Sequence, residues 1–429
     1  MQAREKIVGV TGGGRSVAAP GFGAIDFTAL PGDTRVENLS LAAQDGGISR
    51  GVIYTRGGEK TVVCFTHPRA DMTRHYLIDG LLESGYAAFA LAVRWLNNDI
   101  ACIHEKLLLD IAASLRFLRD RGYERIILLG NSGGGSLYTF YQAQASTVPP
   151  GRLTHTPAGE ALDLNTFDLP AADGLVLLAA HLGQGRFLQS CIDPSVIDEN
   201  DMLAVDASLD LYNPRNGFQV PPAWSSYSAE FLERYRAAQH ARIARLDSIA
   251  RSRIAAQRDF REELAALPAD ADPARRVLLS RHATAMPLMT IYRTDASPAS
   301  IDPAIMPSNR ILGSLVSKRP DLSNYAAGGF AGVLTPEAWL STWSGLSSNA
   351  STLDNIQRIT VPTLLVNYDG DAGLFPEQAE QVIALSGASD KGLVHLPGDH
   401  YGNPTENSRG TDPRVAAKRV ISRWIGDRF

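Results

Sequence analysis

From Thr34 onward the chain alternates short apolar runs with longer segments whose apolar residues return every three or four positions. The first runs, VENLSL and ISRGVIYTR, alternate apolar and polar residues, as in a half-buried antiparallel hairpin. TVVCFTH (61–67) is nearly continuous in apolar residues and is stopped by Pro68, the pattern of a strand buried on both faces. DMTRHYLIDGLLESG (71–85) predicts a helix with Asp71 as N-cap and Gly85 as stop signal. AAFALAVR (87–94) predicts another buried strand. Over 101–121, Ile103, Leu107, Ile111, Leu115 and Leu118 recur at helical spacing and predict an amphipathic helix. RIILLG (125–130) then predicts a strand, GGSLYTFYQAQA a helix and GLVLLAA (174–180) a strand. The alternation implies an α/β fold, with a mostly parallel central sheet and helices on both faces.

The alternation stops after Leu182 and resumes at VPTLLVNYDGD (361–371). A crossover connection needs only about a dozen residues, so 183–350 predicts an inserted, mainly helical cap domain. It holds a long helical pattern over 228–266 with many arginines and acids, broken by Pro268 and Pro273. MPLMTIYR reads as a strand and PEAWLSTWSGL as a Trp-bearing helix. The core is expected at 31–182 and 351–429, behind a Gly-, Ala- and Pro-rich lead-in at 1–30. It closes with a helix opening at Pro376, the strand GLVHL (392–396) and a last helix with Asp412 as cap and Pro413 at its first position.

Composition narrows the partners. The 429 residues are 44% hydrophobic and 20% charged, ordinary for a globular chain. A formal net charge of −5 argues against nucleic acid or an anionic membrane as partner. Cys64, Cys102 and Cys191 are scattered and form no CxxC, so buried inert thiols are expected. The N-terminus lacks the uninterrupted apolar core of a secretory signal, and no run reaches the length of a membrane span. A cytoplasmic location is the expectation. The histidines show no metal-ligand spacing, and neither a metal nor an organic cofactor is expected.

Gly130-Asn131-Ser132-Gly133-Gly134 matches G-x-S-x-G, the sharp strand-to-helix turn that lifts a serine hydroxyl clear of a sheet. The motif alone is weak at this glycine content, but here it follows an apolar strand and opens a helix. Its bland alternative is a glycine-rich turn without chemistry. A nucleophilic serine needs a base, and the base an orienting carboxylate. His400, in the loop beyond the last predicted strand, is favoured as base over His395 within that strand. Asp371, deeper in its loop, is favoured as the acid over Asp369, whose other role is turn formation with Gly370.

The order Ser132, Asp371, His400, the GNSGG elbow, VPTLLVNYDGDAGLFP and LPGDHYG together resemble the α/β-hydrolase superfamily. The resemblance covers 31–182 and 351–429 and leaves the insertion unidentified. It implies that the acid is the second Asp of a D-x-D loop, matching Asp371, and that the base lies in a loop like GDHYG, matching His400. It also implies an oxyanion hole of two backbone N–H groups, one from Gly133. The other comes from the loop after the third strand, where relatives often show His-Gly-x and this chain has His67-Pro68-Arg69-Ala70. Pro68 has no N–H, so Arg69 is the candidate donor and Ala70 the fallback, with His67 bracing the loop.

These residues together predict a serine hydrolase acting on a small-molecule carboxylic ester, lactone or thioester through an acyl-enzyme. Acyl transfer and C–C bond hydrolysis on the same triad are the alternatives among enzymes. A non-catalytic ligand receptor retaining the fold is the alternative from another class. His181 is expected either to line the pocket or to be a satisfied core histidine. Arg94 and Trp95 are divided between substrate and surface. Trp339, Trp343 and Leu346 are candidate walls of a pocket under the cap, with core packing as the rival role of the two tryptophans. The Arg-rich helical pattern also suits an oligomerisation arm, so homo-oligomer formation is the rival use of the insertion.

Overall fold

The computed structural model describes residues 30–429 apart from 97, 327–328 and 411, so the expected lead-in lies almost wholly outside the described residues. Eight strands form the central sheet: β1 (Arg35–Ala42), β2 (Ile48–Thr55), β3 (Thr61–Thr66), β4 (Ala87–Ala92), β5 (Arg125–Asn131), β6 (Gly174–Leu178), β7 (Thr363–Tyr368) and β8 (Lys391–Leu396). Their order across the sheet is β1-β2-β4-β3-β5-β6-β7-β8. β1 and β2 form the expected antiparallel hairpin, β2 pairs antiparallel with β4, and every later pairing is parallel.

The strand period of two sorts the side chains onto two faces. Cys64, Leu128, Leu177 and Leu365 pack against α2 (His104–Asp120) and α3 (Gly133–Ser146). Phe65, Leu129, Leu178 and Val366 face the other way, toward α1 (Ile78–Glu83) and the C-terminal helix Pro413–Gly426. The fold class expected from the sequence is thus the one observed, with the parallel strands β3 to β7 buried on both sides and β8 a partly exposed edge. Cys64, Cys102 and Cys191 are free and buried. Asp412 caps the last helix by accepting from the N–H of Arg414 at 2.8 Å, with Pro413 following.

One helix is shorter than its pattern. Residues 71–77 are not helical and α1 begins only at Ile78. Asp71 caps a local turn at Thr73 instead, and the Tyr54 hydroxyl takes the Thr73 carbonyl that a helix would need.

Between β6 and β7 lie α4 (Gln184–Cys191), α5 (Ala229–Ala266) and α6 (Pro273–Thr284), the helical insertion expected there. Ser228 caps the 38-residue α5, and the strand expected at 286–293 shrinks to Met289–Thr290. Residues 336–343 are helical and end in a π-helical turn, Trp339–Trp343, closed by the bond from Ser344 N–H to the Trp339 carbonyl at 2.8 Å. This turn ties the insertion to the core. Ser341 Oγ accepts from His104 N–H at 2.9 Å and donates to Glu105 at 2.6 Å, while His104 Nε2 meets Gln184 Oε1 at 2.9 Å. Arg94, divided between substrate and surface in the sequence, forms ion pairs with Asp45 and Asp110. Among the described residues, no helix is long and apolar enough to cross a membrane.

Burial lowers the His104 pKa from 6.5 to about 4. A histidine with a depressed folded pKa gives its full stabilisation above its unfolded pKa and loses it as pH falls toward the folded value. His104→Gln should therefore flatten the pH dependence of stability between pH 6.5 and 4, by about 1.4 kcal/mol per pH unit. Urea unfolding across that range checks this, and equal slopes for wild type and variant would contradict it.

Candidate active site

Ser132 stands where β5 gives way to α3, with φ 53° and ψ −125°. For a residue with a side chain this backbone is strained by about 1–3 kcal/mol, so the surroundings must hold it. Asn131 does so from one side: its Nδ2 donates to the Leu178 carbonyl at 2.7 Å and its Oδ1 meets His75 Nε2 at 3.0 Å. Burial keeps His75 neutral by lowering its pKa to about 4. From the other side the glycines let α3 close on the sheet. A Cβ on Gly134 would stand 2.1 Å from the Thr66 carbonyl oxygen, and one on Gly130 would stand 2.4 Å from the Gly135 Cα.

The loops after β7 and β8 bring two more groups to this point. His400 Nε2 lies 2.9 Å from Ser132 Oγ, and His400 Nδ1 lies 2.8 Å from Asp371 Oδ1. The same oxygen of Asp371 accepts from the N–H groups of Gly373 at 2.5 Å and Leu374 at 3.1 Å, which fixes the carboxylate. All three side chains are buried. The rival residues stand apart from this chain of bonds. Asp369 accepts from Asn309 Nδ2 at 2.7 Å, and His395, exposed on the edge strand, meets Asn367 Oδ1 at 3.1 Å.

The loop after β3 departs from the expected arrangement. The N–H groups of Arg69 and Ala70 both donate to His67 Nδ1, at 3.0 and 2.8 Å. The Arg69 amide, expected at the oxyanion, is thus spent on the imidazole, as is that of the fallback Ala70. The Arg69 side chain pairs with Asp99 at 2.7 Å and lies over the Trp343 ring at 4.8 Å. Gly133 carries the remaining backbone position, with the edges of two imidazoles against it. A Cβ there would lie 2.9 Å from His67 Nε2 and 3.3 Å from His181 Nε2. Burial, reinforced by neighbouring positive groups, lowers His67 well below the ordinary histidine value and His181 to about 3, so both stay neutral.

A cavity of about 420 Å³ opens beside the acid loop, with Leu182, Phe187, Leu315, Phe330, Gly373 and Phe375 among its lining. His181 stacks on Phe187 at 5.3 Å and Phe330 meets Phe187 edge-on at 4.9 Å, so His181 backs the cavity wall. Trp339 and Trp343 do not line it. Both are fully buried, and Trp339 Nε1 donates to Asp247 at 2.7 Å, so they pack the junction of insertion and core. Leu346 is exposed. The sequence reading missed Phe187, Leu315 and Phe330, which lie in segments without a diagnostic pattern. Among the described residues, no group of three or more His, Cys, Asp or Glu side chains could hold a metal ion.

No family model and no curated protein matches the chain. Solved structures of related shape span most of it. DcsB in complex with its substrate analogue is 12% identical, covering 92% of this chain and 99% of its own, with a TM-score of 0.46. The esterase domain of a Rhodothermus marinus protein is 10% identical, covering 91% and 97%, with a TM-score of 0.41. A thermophilic esterase from Thermogutta terrifontis is 13% identical, covering 91% and 98%, with a TM-score of 0.40. Likeness this distant says nothing of chemistry, which rests on the side chains above.

The close approach at Gly134 makes a direct prediction. Gly134→Ala should destabilise the fold by about 1–3 kcal/mol and slow fluorophosphonate labelling, because the elbow must move off the Thr66 carbonyl. Thermal melts and labelling rates check this, and wild-type values for both would contradict it.

Proposed function

We propose that the protein is a serine hydrolase that cleaves a carboxylic ester through an acyl-enzyme. The observation that carries this reading is the unbroken chain from Ser132 Oγ through His400 to Asp371, at 2.9 and 2.8 Å. In the first half-reaction Ser132 Oγ attacks the ester carbonyl carbon and its proton passes to His400 Nε2. The carbonyl π pair moves onto oxygen, and the Gly133 N–H faces the charge that forms there. The tetrahedral intermediate collapses, the C–O bond to the alcohol breaks, and His400 protonates the leaving alkoxide. Water then repeats the sequence: it loses a proton to His400, attacks the acyl carbon and releases the acid, and the proton returns to Ser132. Asp371 holds His400 with Nδ1 protonated and faces the imidazolium that forms in each half.

The insertion acts as a cap in this reading. Leu315 packs on Gly373, and its carbonyl accepts from the Tyr401 hydroxyl at 3.2 Å, so the insertion touches both loops that carry the triad. The apolar lining of the neighbouring cavity suits a hydrophobic acyl or alcohol group.

Ser132→Ala, His400→Ala and Asp371→Asn should each lower kcat for p-nitrophenyl butyrate by about 10⁴-fold or more. His395→Gln and Asp369→Asn should stay near the wild type. Loss of turnover in His395→Gln with activity kept in His400→Ala would reverse the assignment. For the cavity, Phe330→Ala should shift the ranking of p-nitrophenyl esters toward longer acyl chains, whereas Trp339→Ala should lower the melting temperature and leave the ranking alone. A ranking that moves only in Trp339→Ala would place the substrate elsewhere.

A further inference from the structure

In the serine-hydrolase reading the Gly133 N–H is one backbone donor to the oxyanion, and the two β3-loop amides expected to supply a second are turned away. Arg69 and Ala70 both direct their N–H groups at His67 Nδ1. That arrangement has a chemical consequence for the imidazole. A ring nitrogen that accepts two N–H bonds carries a lone pair and no proton, so the proton of the neutral ring sits on Nε2. His67 Nε2 is also the atom nearest to the vacant Cβ position of Gly133, at 2.9 Å. Standard backbone dimensions then put it within about 5.4 Å of the Gly133 nitrogen, a span over which two donors can share one oxygen at hydrogen-bond distance. A side chain at Gly133 would stand between this ring edge and the elbow, and glycine places none there.

We propose that His67, through Nε2–H, is the second oxyanion donor, acting with the Gly133 N–H in place of a backbone amide of the β3 loop. This rests on the serine-hydrolase reading above and deepens it. His67 transfers no proton in either half-reaction; its N–H bond to the carbonyl oxygen strengthens as the π pair arrives there. The two amides on Nδ1 fix the tautomer, and burial keeps the ring from taking the second proton that would break those bonds. His181 approaches the same point from β6. Its Nδ1 accepts from the Gly183 N–H at 3.2 Å and its Nε2 lies 3.3 Å from the Gly133 Cβ position, so it is the natural comparator.

Two substitutions separate a donor from a brace, because they preserve opposite ends of the ring. His67→Asn keeps an acceptor near the Nδ1 position for the Arg69 and Ala70 amides and removes the Nε2 donor. His67→Gln keeps a donor near the Nε2 position and loses the acceptor. The experiment measures kcat and KM for p-nitrophenyl butyrate, and affinity for butylboronic acid, whose tetrahedral adduct places oxygen at the oxyanion site. Wild type, Ser132→Ala, both His67 variants and His181→Asn are compared, with thermal melts on each. The expected result is a fall of about 10²–10³-fold in kcat for His67→Asn with KM within about threefold, a matching loss of boronate affinity, and recovery of at least about tenfold in His67→Gln. If His67→Asn equals or exceeds His67→Gln, His67 is a brace and the proposal fails. It also fails if His181→Asn takes the loss while His67→Asn does not. Ester turnover that is absent from the wild type, or unchanged in Ser132→Ala, sinks the hydrolase reading itself, a result distinct from either of these.

Discussion

At Ser132 the backbone takes a conformation that side chains disfavour, and much of the surrounding structure exists to hold it there. Two features do the holding. α3 closes on the sheet so tightly that a Cβ on Gly134 would stand 2.1 Å from the Thr66 carbonyl oxygen of β3, and Asn131 is pinned between Leu178 and His75. The strain, about 1–3 kcal/mol, is small beside what the buried strand supplies, since each fully buried Leu or Ile side chain contributes about 1.5–3 kcal/mol. β5 contains four such residues in succession, Ile126 to Leu129, each fully buried. The apolar strand that makes the motif recognisable is therefore also what makes its strained turn tolerable.

Besides His75, three imidazoles stand around that turn, with one role left for each. His400 has its Nδ1 on a carboxylate and its Nε2 on the serine, the arrangement of a base. His67 and His181 have Nδ1 occupied by backbone N–H groups, which makes them donors through Nε2 and unable to take the serine proton there. Burial disfavours a charge on either. In the proposed mechanism the local backbone thus sorts three chemically identical side chains into a base and two neutral rings.

Much of the fold was legible because a doubly buried parallel sheet writes itself as continuous apolar runs, and the strands from Thr61 to Leu178 carry that signature. Ser132, Asp371 and His400 were legible for a related reason: they follow strand ends, where loops gather at one edge of the sheet. The misreadings have physical causes. At 71–77 the helical spacing is real, but tertiary bonds to Tyr54 and Asn131 outcompete the helix. Trp339 and Trp343 are apolar and four apart whether they line a pocket or pack a junction, and only the partners Asp247 and Arg69 distinguish the two. The direction of the Arg69 amide depends on loop geometry, for which residue identity alone carries no signal.

The central claim is that an acyl group passes through Ser132. Rapid acid quench during turnover of a p-nitrophenyl ester, followed by intact-mass and peptide mass spectrometry, reads this directly. The account predicts a mass gain of one acyl group, located on Ser132 and absent after the substrate is exhausted. An acyl group mapped to another residue, or ester turnover whose pre-steady-state phase shows no covalent species, would contradict it.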